Sequence, residues 1–185
     1  MTKFAACLFV TLSLLLAFGC SSDDDPSSGE ETGYYFRFKA DGVPVSWAYT
    51  PHNLVVNFNL YAENNQTYTT QIAARKELAT ADRNQFSIFI VNSAALQSGI
   101  SYSDHEAAGQ TVPDFLFRFG YFDPDGLIYT TDQFGAGTVV FTGITENSVT
   151  GTFSGTMTAV DTSSGTVKIV DTITITEGTF HVPRF

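Results

Sequence analysis

The sequence is short of basic residues, of cysteine and of charge in general. Only 9 lysines and arginines stand against 19 aspartates and glutamates, so the net charge of −10 excludes the basic surface that nucleic-acid binding requires. Charged residues make up 15% of the chain and aromatic residues 14%, which is the opposite of the composition of disordered chains and predicts a packed core. At 185 residues there is room for a targeting segment and one domain.

The apolar run near the N-terminus has the layout of a secretory signal. Lys3 precedes an apolar stretch from Phe4 to Phe18, which is shorter than the roughly 20 residues that span a bilayer. A retained membrane helix is the alternative interpretation. The run ends in Leu16-Ala17-Phe18-Gly19-Cys20, which resembles a bacterial lipobox. We therefore predict a signal peptide over residues 1–19 and acylation of the Cys20 sulfur.

An acidic segment follows the predicted lipidation site. Residues 20–33 hold Asp23-Asp24-Asp25 and have no apolar residue to bury, which predicts a disordered linker. The start Cys-Ser-Ser-Asp-Asp-Asp resembles the export signal of Bacteroidetes surface lipoproteins, and this resemblance implies an outer-membrane, lipid-anchored protein exposed at the cell surface. Cys7 would leave with the signal peptide, so the mature chain is expected to form no disulfide and no cysteine metal site.

From Tyr34 onward, apolar residues recur at every second position, which is typical of β-strands. Asp41-Gly42 predicts a hairpin turn. Gly151 and Gly155 share the apolar face of one strand, which predicts either close approach of a neighbouring sheet or a bend. Only Ala73–Arg83 has the composition of a helix, and a strand that ends near Arg75 explains it equally well.

These patterns predict one all-β domain over residues 34–185. About nine or ten short strands in an antiparallel meander are expected to form a β-sandwich, with an up-and-down β-barrel as the alternative. A domain of this size buries enough surface to fold without disulfides.

Several strand and turn segments resemble a family of uncharacterised Bacteroidetes surface lipoproteins. They are Phe38–Gly42, Leu96–Tyr102, Gly137–Phe141, Val149–Gly155 and Ile173–Phe180. The resemblance covers most of residues 34–185 and implies a lipobox, an acidic linker and a single all-β domain. It implies no catalytic residue.

Motifs for enzymatic chemistry are incomplete in this sequence. His105-Glu106 begins like a zinc-protease helix, but Gly109 stands where the second histidine would be. The other histidines, His52 and His181, have no ligand-like spacing and are interpreted as surface or loop residues. No Gly-x-Ser-x-Gly elbow occurs. We predict a protein that is not an enzyme and has no cofactor and no metal centre.

Three weaker binding or modification sites remain. Asp123 and Asp125 share Asp-x-Asp-Gly with calcium loops, although a turn explains the same residues. Trp47, Tyr35 and Tyr49 are candidates for an exposed platform on which a sugar or peptide stacks, with core packing as the alternative. Thr172 follows Asp171 and precedes Ile173, a triplet that looks like the O-glycosylation sequon of Bacteroidetes exported proteins.

The sequence thus favours a non-enzymatic surface lipoprotein that binds an unidentified ligand or serves in envelope assembly. Its expected partners are membrane lipid, through acylated Cys20, and a glycan or protein of the envelope; nucleic acid is not expected. One alternative is a carbohydrate-binding or carbohydrate-processing accessory protein. Another is a subunit of a surface assembly, which would have an exposed edge strand able to pair with a partner.

Overall fold

The structure, a computed structural model, describes residues 33–77, 83–103, 116–132 and 134–184. The chain divides into two units, Met1–Glu30 and Glu31–Phe185, and every described residue belongs to the second. This part of the chain contains eleven β-strands and no helix. The strands are β1 (Tyr35–Ala40), β2 (Val43–Ala48), β3 (Leu54–Ala62), β4 (Thr67–Arg75), β5 (Gln85–Asn92), β6 (Ser101–Ser103), β7 (Leu116–Phe122), β8 (Ile128–Thr130), β9 (Ala136–Ile144), β10 (Ser148–Asp161) and β11 (Lys168–Pro183).

The strands form where buried residues alternate with more exposed ones along the chain. In β1, Phe36, Phe38 and Ala40 point inward and the residues between them point outward. The turn that joins β1 to β2 places Asp41 at a φ of 47° and Gly42 at 81°. Positive φ at both central residues is what a type I′ hairpin turn requires, so the predicted hairpin is confirmed.

Hydrogen bonding orders nine strands as β2-β1-β11-β10-β8-β7-β5-β4-β3, and β9 pairs with both β10 and β6. The first part of β10 pairs with β9, and its later part pairs with β8 at Thr158 and Thr130. The whole assembly is a single curled antiparallel sheet that forms a half-barrel. The all-β antiparallel prediction is confirmed, and this curled sheet is consistent with the sandwich or barrel that it named.

The interior of the curled sheet is filled by aromatic rings from different strands. Phe36 of β1, Phe86 of β5 and Phe153 of β10 meet with ring centroids 4.9 to 5.4 Å apart. Phe119 and Phe180 extend the same cluster. Each buried aromatic side chain removes about 150–250 Å² from water, so these rings dominate the stability of the domain.

Gly151 and Gly155 lie where the backbone of β9 approaches β10 closely. A Cβ on Gly155 would stand 2.5 Å from the carbonyl oxygen of Ala136, and one on Gly151 would stand 2.6 Å from that of Val140. The pairing with β11 also shifts register between Phe153 and Gly155, which marks a β-bulge. The crowding at these glycines thus comes from a neighbouring strand of the same sheet and not from a neighbouring sheet, whereas the β-bulge agrees with the expected bend.

The segment with helical composition is a strand over its first residues. Ala73–Arg75 belongs to β4 and pairs with β5. Residues 78–82 lie outside the described residues. The tertiary pairing with β5 outweighs the helix propensity of alanine, which is a weak preference.

Candidate functional site

Four aromatic side chains gather where the chain enters the domain, and we call them the entry cluster. They are Tyr34, Tyr35, Tyr49 and His181, and all are half-buried. Tyr34 contacts the edge of His181 at a centroid distance of 4.8 Å and that of Tyr49 at 5.3 Å. The ring centroid of Tyr35 lies 6.3 Å from that of His181. The cluster forms because β1 pairs with β11, with Tyr35 opposite His181.

The guanidinium of Arg37 lies over the ring of Tyr35, 4.4 Å from its centroid. Residues two apart on a strand share a face, so Arg37 and Tyr35 meet on the outer face of β1. Such a cation–π contact contributes about 0.5–1 kcal/mol at an exposed site. One face of the Tyr35 ring is therefore already covered by a cation, and a ligand that stacks on that face would have to displace Arg37.

Trp47 is a core residue, which corrects its assignment to an exposed stacking platform. Its side chain is only 5% exposed. It stacks on Phe36 with ring centroids 6.1 Å apart and contacts Phe38 edge-on at 5.6 Å. The physical reason is the register of the first hairpin, which pairs Trp47 with inward-facing Phe36. Tyr35 and Tyr49 are connected in the entry cluster through His181, which contacts Tyr35, and Tyr34, which contacts both His181 and Tyr49.

A hydrogen bond joins β8 to β11 between Tyr129 and Asp171, and we call these two residues the rim pair. The Tyr129 hydroxyl donates to Asp171 Oδ2 at 2.7 Å, and the Thr172 amide donates to Asp171 Oδ1 at 2.8 Å. These bonds, the one from Tyr129 first, lower the pKa of Asp171. Burial and then the bond to Asp171 raise the pKa of Tyr129 well above its usual value. Burial, followed by the charge of Asp123, raises the pKa of neighbouring Tyr121 to about 12.

This rim pair therefore consists of a phenol that keeps its proton and a carboxylate that stays ionised at neutral pH. A tyrosine with a raised pKa is a poor general base, because it does not lose its proton near neutrality. The pair instead fastens β8 to β11 by a charge-assisted hydrogen bond.

The Asp123–Gly126 segment forms a tight turn between β7 and β8. Asp123 Oδ1 accepts the Leu127 amide at 2.8 Å, and the Asp123 carbonyl accepts the Gly126 amide at 3.2 Å. Across the described ranges, no group of three or more histidine, cysteine, aspartate or glutamate side chains could hold a metal ion. The turn therefore accounts for Asp123, and Asp125 has no neighbouring set of ligands within those ranges.

Other predicted residues have separate positions. Thr172 is exposed on β11, directly beside Asp171. Cys20 and His105 lie outside the described residues, as do residues 1–32 of the predicted signal and linker. The described part of the chain contains no helix of the length and apolarity needed to cross a membrane.

Sequence reasoning missed His181 as a member of the entry cluster. Alternation along β11 places it on the same outer face as Thr179, which a sequence could suggest. What the sequence could not supply is the pairing of the first strand with the last, which places Tyr35 opposite His181. Comparison with protein-family models, with curated proteins and with solved structures found no match to this chain.

Proposed function

We propose that this chain is a membrane-anchored cell-surface lipoprotein whose β-domain binds an envelope partner and carries out no reaction itself. The signal run, the Cys20 context and the acidic linker support the anchor. The resemblance of its strand segments to Bacteroidetes surface lipoproteins supports the same location. The observation that carries the binding role is the filled interior of the half-barrel.

That interior holds packed side chains where a ligand-carrying barrel would hold its cargo. Phe36, Phe86, Phe119, Phe141 and Phe180 are each at most 1% exposed and touch other rings of the core. Small-molecule sites are concave and largely preformed, and the space enclosed by the described strands is occupied. This packing supports a partner that binds on the outside of the domain.

The experiment compares two cysteine substitutions in the native host. Cys20→Ser is expected to abolish labelling by palmitate and to shift the protein out of the membrane fraction. Cys7→Ser is the matched control, because this cysteine would be removed with the signal peptide, and it should label normally. Equal labelling of both variants would overturn the anchor proposal.

A second candidate function is carbohydrate binding at the entry cluster. The observation that favours it is the group of half-exposed rings around Tyr34, since aromatic rings combine a large rigid surface with a polar handle. A polysaccharide array probed with the protein tests it. Binding that is lost in Tyr35→Ala and kept in Tyr61→Ala, an exposed tyrosine on β3, would establish this function; an empty array would reject it.

A further inference from the structure

The far end of the β10–β11 hairpin projects from the domain as a two-stranded ribbon, which we call the distal tip. It comprises residues 160–172, and every one of them is exposed. In the described structure, β1 pairs with β11 only from Ile175 onward, and β8 pairs with β10 at Thr158. No described strand therefore extends the sheet beside the distal tip.

Four β-branched aliphatic residues lie on this solvated ribbon. Val160 and Ile169 are cross-strand partners, so their side chains project from the same face, and they are 38% and 45% exposed. Val167 and Val170 are 47% and 49% exposed. Cross-strand aliphatic pairs stabilise a ribbon, but these four side chains leave apolar area in water that no described residue covers. Stiff β-branched side chains lose little rotamer entropy when a partner covers them.

The charges of the distal tip indicate which partner fits. Asp161 pairs across the ribbon with Lys168, and Asp171 adds a second carboxylate on the β11 strand. Asp161 also accepts the Ser163 amide at 2.8 Å. The tip is thus net negative, on a chain whose formal charge is −10. Two copies of such a chain repel each other, whereas a basic segment is attracted.

The edge of the ribbon is poorly suited to pairing with an additional strand. Asp171 Oδ1 already accepts the Thr172 amide at 2.8 Å. The pairing also shifts register beside Val160, between Asp171 and Ile169, which places a bulge at Val170. Bulges and charged residues are devices that protect edge strands from pairing. The accessible feature is the aliphatic face.

We propose that the distal tip is a docking surface for a basic, aliphatic segment of another envelope protein. The aliphatic face of Val160 and Ile169 would cover apolar side chains of that segment, and the carboxylates of Asp161 and Asp171 would meet its basic groups. This inference deepens the proposed function and rests on the binding role, not on the lipid anchor.

The test uses the full chain in phosphatidylcholine nanodiscs, with empty nanodiscs as the reference surface. The probe is a synthetic peptide of alternating lysine and valine, compared with one of lysine and serine and one of glutamate and valine. Only the lysine–valine peptide is expected to bind well, and its affinity should fall as salt is raised, because salt screens charge attraction. Equal binding of the glutamate–valine peptide would overturn the proposal.

Variants at the tip separate specific contact from attraction to an acidic protein. Val160→Thr combined with Ile169→Thr keeps charge and strand propensity and should weaken lysine–valine binding about tenfold, or about 1.4 kcal/mol. The control is Leu116→Thr, which alters a residue that is 45% exposed on β7 and should leave binding unchanged. Matching circular-dichroism melting curves would show that all variants are folded.

Two further variants, each of which removes one negative charge, test the role of charge at the distal tip. Asp161→Asn should weaken binding about threefold and reduce the salt dependence, whereas Glu63→Gln, in the β3–β4 turn, makes the same charge change and should do neither. Wild-type affinity in the Val160/Ile169 variant would overturn the proposal, and so would a dimer that forms through the tip in sedimentation runs. Failure here leaves palmitate labelling at Cys20 intact, so the two proposals fail separately.

Discussion

Gly155→Ala is expected to destabilise the domain, because the added methyl group has no space. The new Cβ would lie 2.5 Å from the Ala136 carbonyl oxygen and 2.9 Å from the Gly137 Cα, and both are backbone atoms of β9. Ordinary contact would require β9 to move away by roughly 0.9 Å, and this strand is held by β10 itself. Overpacking of this kind costs about 1–3 kcal/mol.

Part of that cost is offset, since replacing glycine by alanine reduces the freedom of the unfolded chain by about 0.4–1 kcal/mol. We therefore expect a net loss of about 1–2 kcal/mol in the free energy of unfolding. Urea unfolding followed by Trp47 fluorescence measures it, because Trp47 is the single tryptophan and lies in the core. The midpoint should fall by about 0.5–1 M with the slope unchanged.

Gly33→Ala is the matched control, because a Cβ at Gly33 would meet nothing within 4 Å. Its midpoint should equal that of the wild type or exceed it slightly. If Gly155→Ala unfolds at the same urea concentration as Gly33→Ala, β9 does not approach β10 as described, and the account of these glycines is wrong.

Three further predictions concern the rim pair and the core. Tyr129→Phe removes the hydrogen bond to Asp171 and should lower the free energy of unfolding, measured by urea unfolding at pH 7. The control is Tyr61→Phe, at an exposed position of β3, which should cost nothing measurable. The pKa of Tyr121 is raised from 10.0 to about 12, so the stability that its neutral form provides is complete below pH 10 and is lost as the pH rises toward 12. Tyrosine absorbance at 295 nm should show a late ionisation that is linked to unfolding, and full ionisation near pH 10 in the folded protein would refute this prediction. The pKa of Asp171 is lowered from 3.8, so the stability that its ionised form provides is present above that value and is lost as the pH falls below about 4. Asp171→Asn should therefore make the free energy of unfolding decline less steeply with acid. An unchanged dependence of this free energy on pH would contradict the role of the hydrogen bonds to Asp171.

Alternation of residues along the chain was sufficient to predict the strand class and the first hairpin. Phe36 and Phe38 face inward as expected, and Asp41-Gly42 forms the turn. Short-range patterns succeed here because side-chain direction and turn geometry depend on neighbouring residues alone. The same patterns predicted a close approach or a bend at Gly155, because a glycine inside a strand often marks one or the other.

The composition of the candidate site depended on long-range pairing and was predicted only in part. Tyr35 and His181 meet because the first strand lies beside the last, and no local signal specifies that pairing. Trp47 was grouped with surface tyrosines by its sequence position, yet its register opposite Phe36 places it in the core. Likewise, the exposure of Val160 and Ile169 follows from where β8 and β1 cease to pair, which alternation does not show.

Mass spectrometry of the mature protein from its native membrane tests the central proposal most directly. The mature chain is expected to begin at Cys20, with residues 1–19 absent and the added mass of acyl chains on that cysteine. A mature protein that begins at Met1, or one whose Cys20 carries an unmodified thiol, would contradict the lipoprotein assignment.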